Sequence, residues 1–116
     1  MKLKPDVIAS TVSADRAAYA LDVTADLHAF EGHYPGNPIL AGVVQVDWAM
    51  RFAREAFPLD WHGFTAIEQL KFHKLIKPGE PLELKLEWDA AAGKLAFVYE
   101  SAGERKSAGQ VRVKAR

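Results

Sequence analysis

The chain has 116 residues, the length of one domain and too short for two. Fifteen Lys/Arg balance fifteen Asp/Glu for a formal net charge of zero, which argues against nucleic acid as the main partner. The absence of cysteine excludes a disulfide, a zinc–thiolate centre or a thiol nucleophile, and no run approaches the roughly 20 apolar residues that span a membrane.

The start, Met1-Lys2-Leu3-Lys4-Pro5, is basic, and no apolar stretch follows it, so the expected location is the cytoplasm. Val7 to Val12 is β-rich, and Tyr19, Leu21 and Val23 alternate with small or polar residues in a second short strand. Further on, Val43–Phe57 has helical periodicity. At 100° per residue, Asp47, Arg51, Arg54 and Glu55 fall in one narrow polar stripe, and apolar side chains cover most of the remaining circumference. A helix so apolar is expected to be wrapped on several sides.

Phe64–Ile76 then reads as a long strand with Leu70 and Phe72 facing inward between Lys71, His73 and Lys74, ended by a turn at Pro78-Gly79. The clearest period-2 signal is Leu82-Glu83-Leu84-Lys85-Leu86-Glu87-Trp88, apolar on one face and charged on the other. After an Asp89–Gly93 turn, Leu95, Phe97 and Tyr99 repeat the alternation. A turn at Ser101–Glu104 leads to a last strand holding Val111 and Val113. The expected fold class is α+β, a single domain over residues 1–116. Its curved antiparallel sheet of about six strands wraps one long central helix, the hotdog arrangement.

The densest run of special residues is His33-Tyr34-Pro35-Gly36-Asn37-Pro38-Ile39-Leu40-Ala41-Gly42-Val43, leading into the helix. Two prolines and two glycines make a rigid, irregular loop that ends at a helix N-terminus. There, unpaired backbone N–H groups and the positive end of the helix dipole suit a carbonyl oxygen gaining negative charge. Gly42 allows a close approach to that backbone.

This segment resembles the signature of the bacterial 3-hydroxyacyl-acyl-carrier-protein dehydratases, His-Phe-Pro-Gly-x-Pro-x-x-Pro-Gly-Val followed by an acid on the helix. The acid here is Asp47, fourteen residues after His33. Phe30-Glu31-Gly32, Leu70-Lys71-Phe72, Pro78-Gly79-Glu80 and Leu82-Glu83-Leu84 are similar to the family's strand landmarks, so the resemblance covers nearly the whole chain. Gly42-Val43-Val44-Gln45-Val46-Asp47-Trp48-Ala49 resembles the branch associated with aryl polyene biosynthesis. The chain departs from the main pattern at Ala41, which replaces a proline, at Asp47, where the commoner branch has Glu, and at Arg51, in place of the usual Gln.

The resemblance implies a lyase that dehydrates 3-hydroxyacyl thioesters on acyl carrier protein, in fatty-acid-like or aryl-polyene-like synthesis, with no cofactor. Its partners would be the carrier protein's phosphopantetheine-linked acyl group and a second copy of the chain, with sites shared between subunits of a homodimer and no nucleic acid or membrane. In that reading His33 takes the C2 proton, since an imidazole titrating near pH 6.5 suits proton transfer at neutral pH. Gly42 N–H polarises the thioester carbonyl, and Asp47 helps the hydroxyl leave, as proton donor or as an orienting group. Tyr34, Pro35, Gly42, Val43 and Trp48 would contact substrate.

Plainer readings stand beside these. His33 alone is an ordinary loop histidine, Asp47 pairs with Arg51 at i+4, and Trp48 at helical spacing is core by default. Gln45, set amid apolar residues, needs hydrogen-bond partners if buried. His28, Glu31 and His33 lack the spacing of a metal site. Lys71, Lys74, Lys77, Arg51 and Arg54 are either solvated or aimed at an acidic carrier protein. A hotdog thioesterase and a non-catalytic partner subunit are the rival functions.

Overall fold

A computed structural model describes residues 4–24, 40–58 and 66–113. In chain order the elements are β1 (Asp6–Val12), β2 (Arg16–Asp22), α1 (Gly42–Ala56), β3 (Ala66–Phe72), β4 (Pro81–Asp89), β5 (Lys94–Ser101) and β6 (Glu104–Arg112). The strands form one six-stranded sheet in the order β1-β2-β4-β5-β6-β3, and every neighbouring pair is antiparallel. The chain thus leaves β2, forms the helix, crosses to the far edge as β3, and returns to the middle as β4.

Alternation fixes which face is buried. Tyr19, Leu84, Tyr99 and Ser107 lie side by side across four strands, and all four are buried. A second row joins Trp88, Leu95 and Val111, again all buried. The opposite face carries Lys85, Glu87 and Glu83, where Lys85 lies 3.1 Å from Glu100. One face packs on the helix and the other meets water, as expected of an antiparallel sheet.

Helix α1 presents Gln45, Trp48, Ala49, Phe52 and Ala53 to the sheet, the i, i+3, i+4, i+7, i+8 stripe of an amphipathic helix. Tyr19 and Phe52 stack with ring centroids 4.7 Å apart, and the Lys4 ammonium sits 4.7 Å from the outer side of the Phe52 ring. The helix ends at Phe57, whose N–H still reaches Ala53 O at 2.8 Å.

The sheet curves along the inner side of the helix, while Val43 on the outer side is 78% exposed. Leu70 and Phe72 face the helix side of the sheet, as expected, but are not core, being 38% and 51% exposed. The backbone of β3 sets the face they share, and its edge position leaves them exposed. Its register against β6 slips between Glu68 and Lys71, and Gln69 takes a left-handed φ of 51°. This bulge inserts one residue and reverses the alternation, so Ile67, Leu70 and Phe72 share a face although their spacing is not period 2. β3 is also an edge strand, so that face overhangs the open flank of the helix instead of lying beneath it.

The segment between β3 and β4 is tied down by Lys106. His73 N–H and Lys74 N–H both donate to Lys106 O, at 2.8 and 3.1 Å. The Lys106 ammonium donates to Leu75 O at 3.2 Å and pairs with Glu80 at 3.0 Å. Burial pushes the Glu80 carboxyl up, but hydrogen bonds from Lys77 N–H, Lys106 and Ser101, with the Lys106 charge, hold it below its ordinary 4.5. A carboxyl lowered by folding stabilises the native state above its unfolded pKa and loses that contribution as pH falls through the folded value. Thermal melts on acidification below pH 4.5 should therefore show a falling Tm whose slope is shallower in Glu80→Gln. An identical slope in the variant would contradict the assignment.

Candidate active site

The reversed face of β3 and the outer flank of α1 enclose an apolar groove of about 600 Å³, within the usual range of small-molecule sites. From the helix come Gly42, Val43, Val46, Asp47 and Met50, and from the strand Ile67, Leu70 and Phe72. Positions 43, 46, 47 and 50 are a second i, i+3, i+4, i+7 stripe, turned away from the sheet. Among the described residues of this lining Asp47 is the one that carries a charge, a carboxylate beside apolar side chains.

At the mouth of the groove the helix begins without a side-chain cap. Ala41 stands at the N-cap position, and the first turn holds no acidic residue. The Ala41 carbonyl receives the N–H groups of Val44 and Gln45, each at 3.1 Å. Gly42 and Val43 N–H lie upstream of that ladder, at the positive end of the dipole. A Cβ on Gly42 would stand 2.5 Å from Phe72 Cζ, so the absence of a side chain lets the Phe72 ring lie directly on the start of the helix.

The Asp47 side chain is 45% exposed and accepts a hydrogen bond of 2.8 Å from Arg51 Nε to its Oδ2. That is the i+4 pair expected from sequence, and it occupies one carboxylate oxygen. Trp48, the next residue, is fully buried in the core and does not line the groove.

Beneath the groove, the inner face of the helix carries polar contacts. Gln45 is 3% exposed. Its Oε1 accepts from Ser107 Oγ at 2.6 Å, its Nε2 donates to Leu40 O at 3.0 Å, and its backbone O accepts from Tyr99 Oη at 2.6 Å. Burial, reinforced by the charge of Asp47 and opposed by Ala49 N–H, drives the Tyr99 hydroxyl well above the ordinary phenol value, so it remains a donor. Leu40 is held from the other side too, its N–H reaching Ile76 O at 2.8 Å.

A family described as ApeI-like, ApeI dehydratase, matches residues 9–110. The chain belongs to the ApeI-like dehydratase family. A 3-hydroxyacyl-acyl-carrier-protein dehydratase FabZ from Acetivibrio thermocellus is 34% identical over 116 aligned residues, covering 92% of this chain and 80% of that one. The FabZ of Enterococcus faecalis is 30% identical over 91% of this chain and 74% of its own length. Among solved structures, the dehydratase heterocomplex ApeI:P from Xenorhabdus doucetiae superposes with a TM-score of 0.89 at 33% identity, covering 97% of this chain and 99% of that one. An uncharacterised protein from Erwinia carotovora subsp. atroseptica follows with a TM-score of 0.82 at 31% identity over 96% of each chain. The architecture is the hotdog fold expected from the strand and helix pattern.

For an ApeI-like dehydratase the expected site residues divide in two. Gly42, Val43 and Asp47 line one groove. His33, Tyr34 and Pro35 fall outside the described residues, as do His28, Glu31 and His62. Among the described residues no group of three His, Cys, Asp or Glu is placed to hold a metal ion, and no helix is long and apolar enough to cross a membrane. Sequence reading missed Met50, Ile67, Leu70 and Phe72 as groove walls. The 43/46/47/50 stripe signals the first of these; Leu70 and Phe72 share the face of Ile67 only through the bulge at Gln69.

Proposed function

We propose that the groove binds the acyl chain of a 3-hydroxyacyl thioester and that this chain eliminates water from it, leaving a 2-enoyl thioester. The observation that carries the reading is an apolar channel whose described lining holds one carboxylate, Asp47, beside a helix N-terminus at Gly42 that has no side-chain cap. The acyl chain lies along Val46, Met50, Ile67 and Leu70. The thioester carbonyl accepts from Gly42 N–H, which stabilises the enolate-like charge that develops when the C2 proton leaves. His33 takes that proton, the C3–O bond breaks as the C2–C3 double bond forms, and the proton passes from His33 to the departing hydroxide, which leaves as water.

Asp47 serves as the orienting group. Its Oδ2 is already engaged by Arg51, which leaves Oδ1 to accept from the departing hydroxyl, a water or His33. Tyr34, Pro35 and Val43 shape the mouth, while Trp48 acts from beneath by packing. Residues 1–116 work as one cytoplasmic domain without a cofactor, on substrates tethered to acyl carrier protein, with aryl-polyene-like synthesis as the pathway class. The working form is a homodimer whose sites are shared between subunits, because the open flank of α1 and the outer edge of β3 leave Val43, Leu70 and Phe72 exposed in one copy.

A second reading has a specific motive. The Xenorhabdus doucetiae relative is described as a heterocomplex, and a chain of this type can need a different subunit for turnover. One experiment separates the readings. The purified chain is incubated with 3-hydroxybutyryl carrier protein, and the acyl group is weighed by mass spectrometry. Loss of one water by the chain alone is expected. An intact substrate across several acyl lengths would sink the stand-alone dehydratase and favour the partner-dependent form, whereas release of free thiol would mean a thioesterase.

A further inference from the structure

We propose that Gln45 is a positioning residue, gripped by Tyr99 and Ser107, that sets where Gly42 N–H and Asp47 stand relative to the substrate; this rests on the dehydratase reading above.

Apolar packing alone leaves a helix two soft motions, sliding along its axis and rolling about it, because burial is non-directional. Hydrogen bonds are directional and resist both. Tyr99 on β5 and Ser107 on β6 are directly paired across the sheet, and both hydroxyls converge on Gln45 at 2.6 Å, one on its backbone oxygen and one on its side chain. The remaining side-chain arm holds Leu40 O at 3.0 Å, so one residue joins the sheet, the helix and the chain leading into the helix.

Placement makes that grip matter for chemistry. Gln45 lies three residues after Gly42 and two before Asp47, so the two candidate groups flank it within about one turn. Two residues of helix turn through about 200°. An anchor that holds Gln45 against the sheet therefore aims Asp47 out into the groove. Side chains extend about 5–6 Å from a helix axis, so a roll of about 20° moves the Asp47 carboxylate by about 2 Å. Misplacement by about 1 Å is enough to cost about a hundredfold in rate. A polar cluster at 0–3% exposure is also an expensive way merely to fill space, since an apolar side chain of similar size needs no partners.

The test uses the full chain with Ser107→Ala and Tyr99→Phe, each of which deletes one hydroxyl. Three quantities are measured for each: kcat and KM on 3-hydroxybutyryl carrier protein per folded molecule, the Gly42 amide resonance in glycine-labelled protein, and Tm. We expect kcat to fall about tenfold or more, KM to stay within about twofold, and the Gly42 amide to shift in both variants. A lower Tm with unchanged kcat and an unmoved Gly42 resonance would reduce the cluster to a structural role and overturn the proposal. A moved resonance with unchanged kcat would overturn it as well. If the wild-type chain dehydrates nothing, the function reading fails on its own; a Gly42 resonance that moves in both variants then still supports positioning by Gln45, and one that stays put overturns it.

Discussion

His33→Ala is expected to lower dehydration by about 10²–10⁴-fold, the span that removal of a positioned general base or acid typically costs. The reaction demands a base for a weakly acidic C2 proton and help for a poor leaving group. In the proposed reading Asp47, with one oxygen engaged by Arg51, is the orienting group and His33 takes the proton. The described residues on either side of the segment that holds His33 are hydrogen-bonded to the stretch before β4. Val23 O accepts from Gly79 N–H and Leu40 N–H donates to Ile76 O, both at 2.8 Å. Proton transfer needs the imidazole and substrate capture does not, so binding of the acyl carrier-protein substrate should survive the substitution. Mass-spectrometric turnover and a binding titration check the two halves of this result. Dehydration within tenfold of wild type in His33→Ala would remove His33 from the chemistry.

Trp48→Ala should be the most destabilising single truncation on the helix, costing about 3–5 kcal/mol from a total that for a domain of this size is about 5–15 kcal/mol. Trp48 is 0% exposed and lies on the inner stripe between Gln45 and Phe52, where the sheet cannot collapse onto a vacated space of that volume. Val43→Ala provides the contrast. At 78% exposure it should stay within about 0.5 kcal/mol of wild type, although it borders the groove. Urea unfolding midpoints for the two variants decide the matter. A cost below about 1 kcal/mol for Trp48→Ala would mean that its ring is not held by the core, and would return Trp48 to the role of a substrate contact.

Much of this protein was legible residue by residue. The 82–88 alternation announced a half-buried strand because side chains on a strand point to opposite faces with period 2, and the strand stands where the pattern placed it. The same logic located β2, β5 and the turn at Ala102-Gly103, where both residues take the positive φ, 51° and 80°, of a two-residue hairpin. Helix α1 was set by its apolar stripe to within one residue at each end. The place of Gln45 amid apolar residues implies a need for hydrogen-bond partners if it is buried, and the Asp47–Arg51 pair follows from i+4 spacing alone. The His33 to Asp47 segment carried the family resemblance.

Only the tertiary structure decided the rest. Sequence periodicity is local, whereas strand order depends on which edges remain to be paired, so the passage of β3 past the sheet to lie beside β6 is invisible in the pattern. The bulge at Gln69 brings Leu70 and Phe72 onto the helix-facing side with Ile67, and the edge position of β3 makes them groove walls instead of core. Gln45 finds Tyr99 and Ser107 at 54 and 62 residues' distance, a pairing set by antiparallel register and not by any motif. The residue types for chemistry were written in one short segment; the groove that would receive a substrate exists because an irregular edge strand closes over the open flank of the helix.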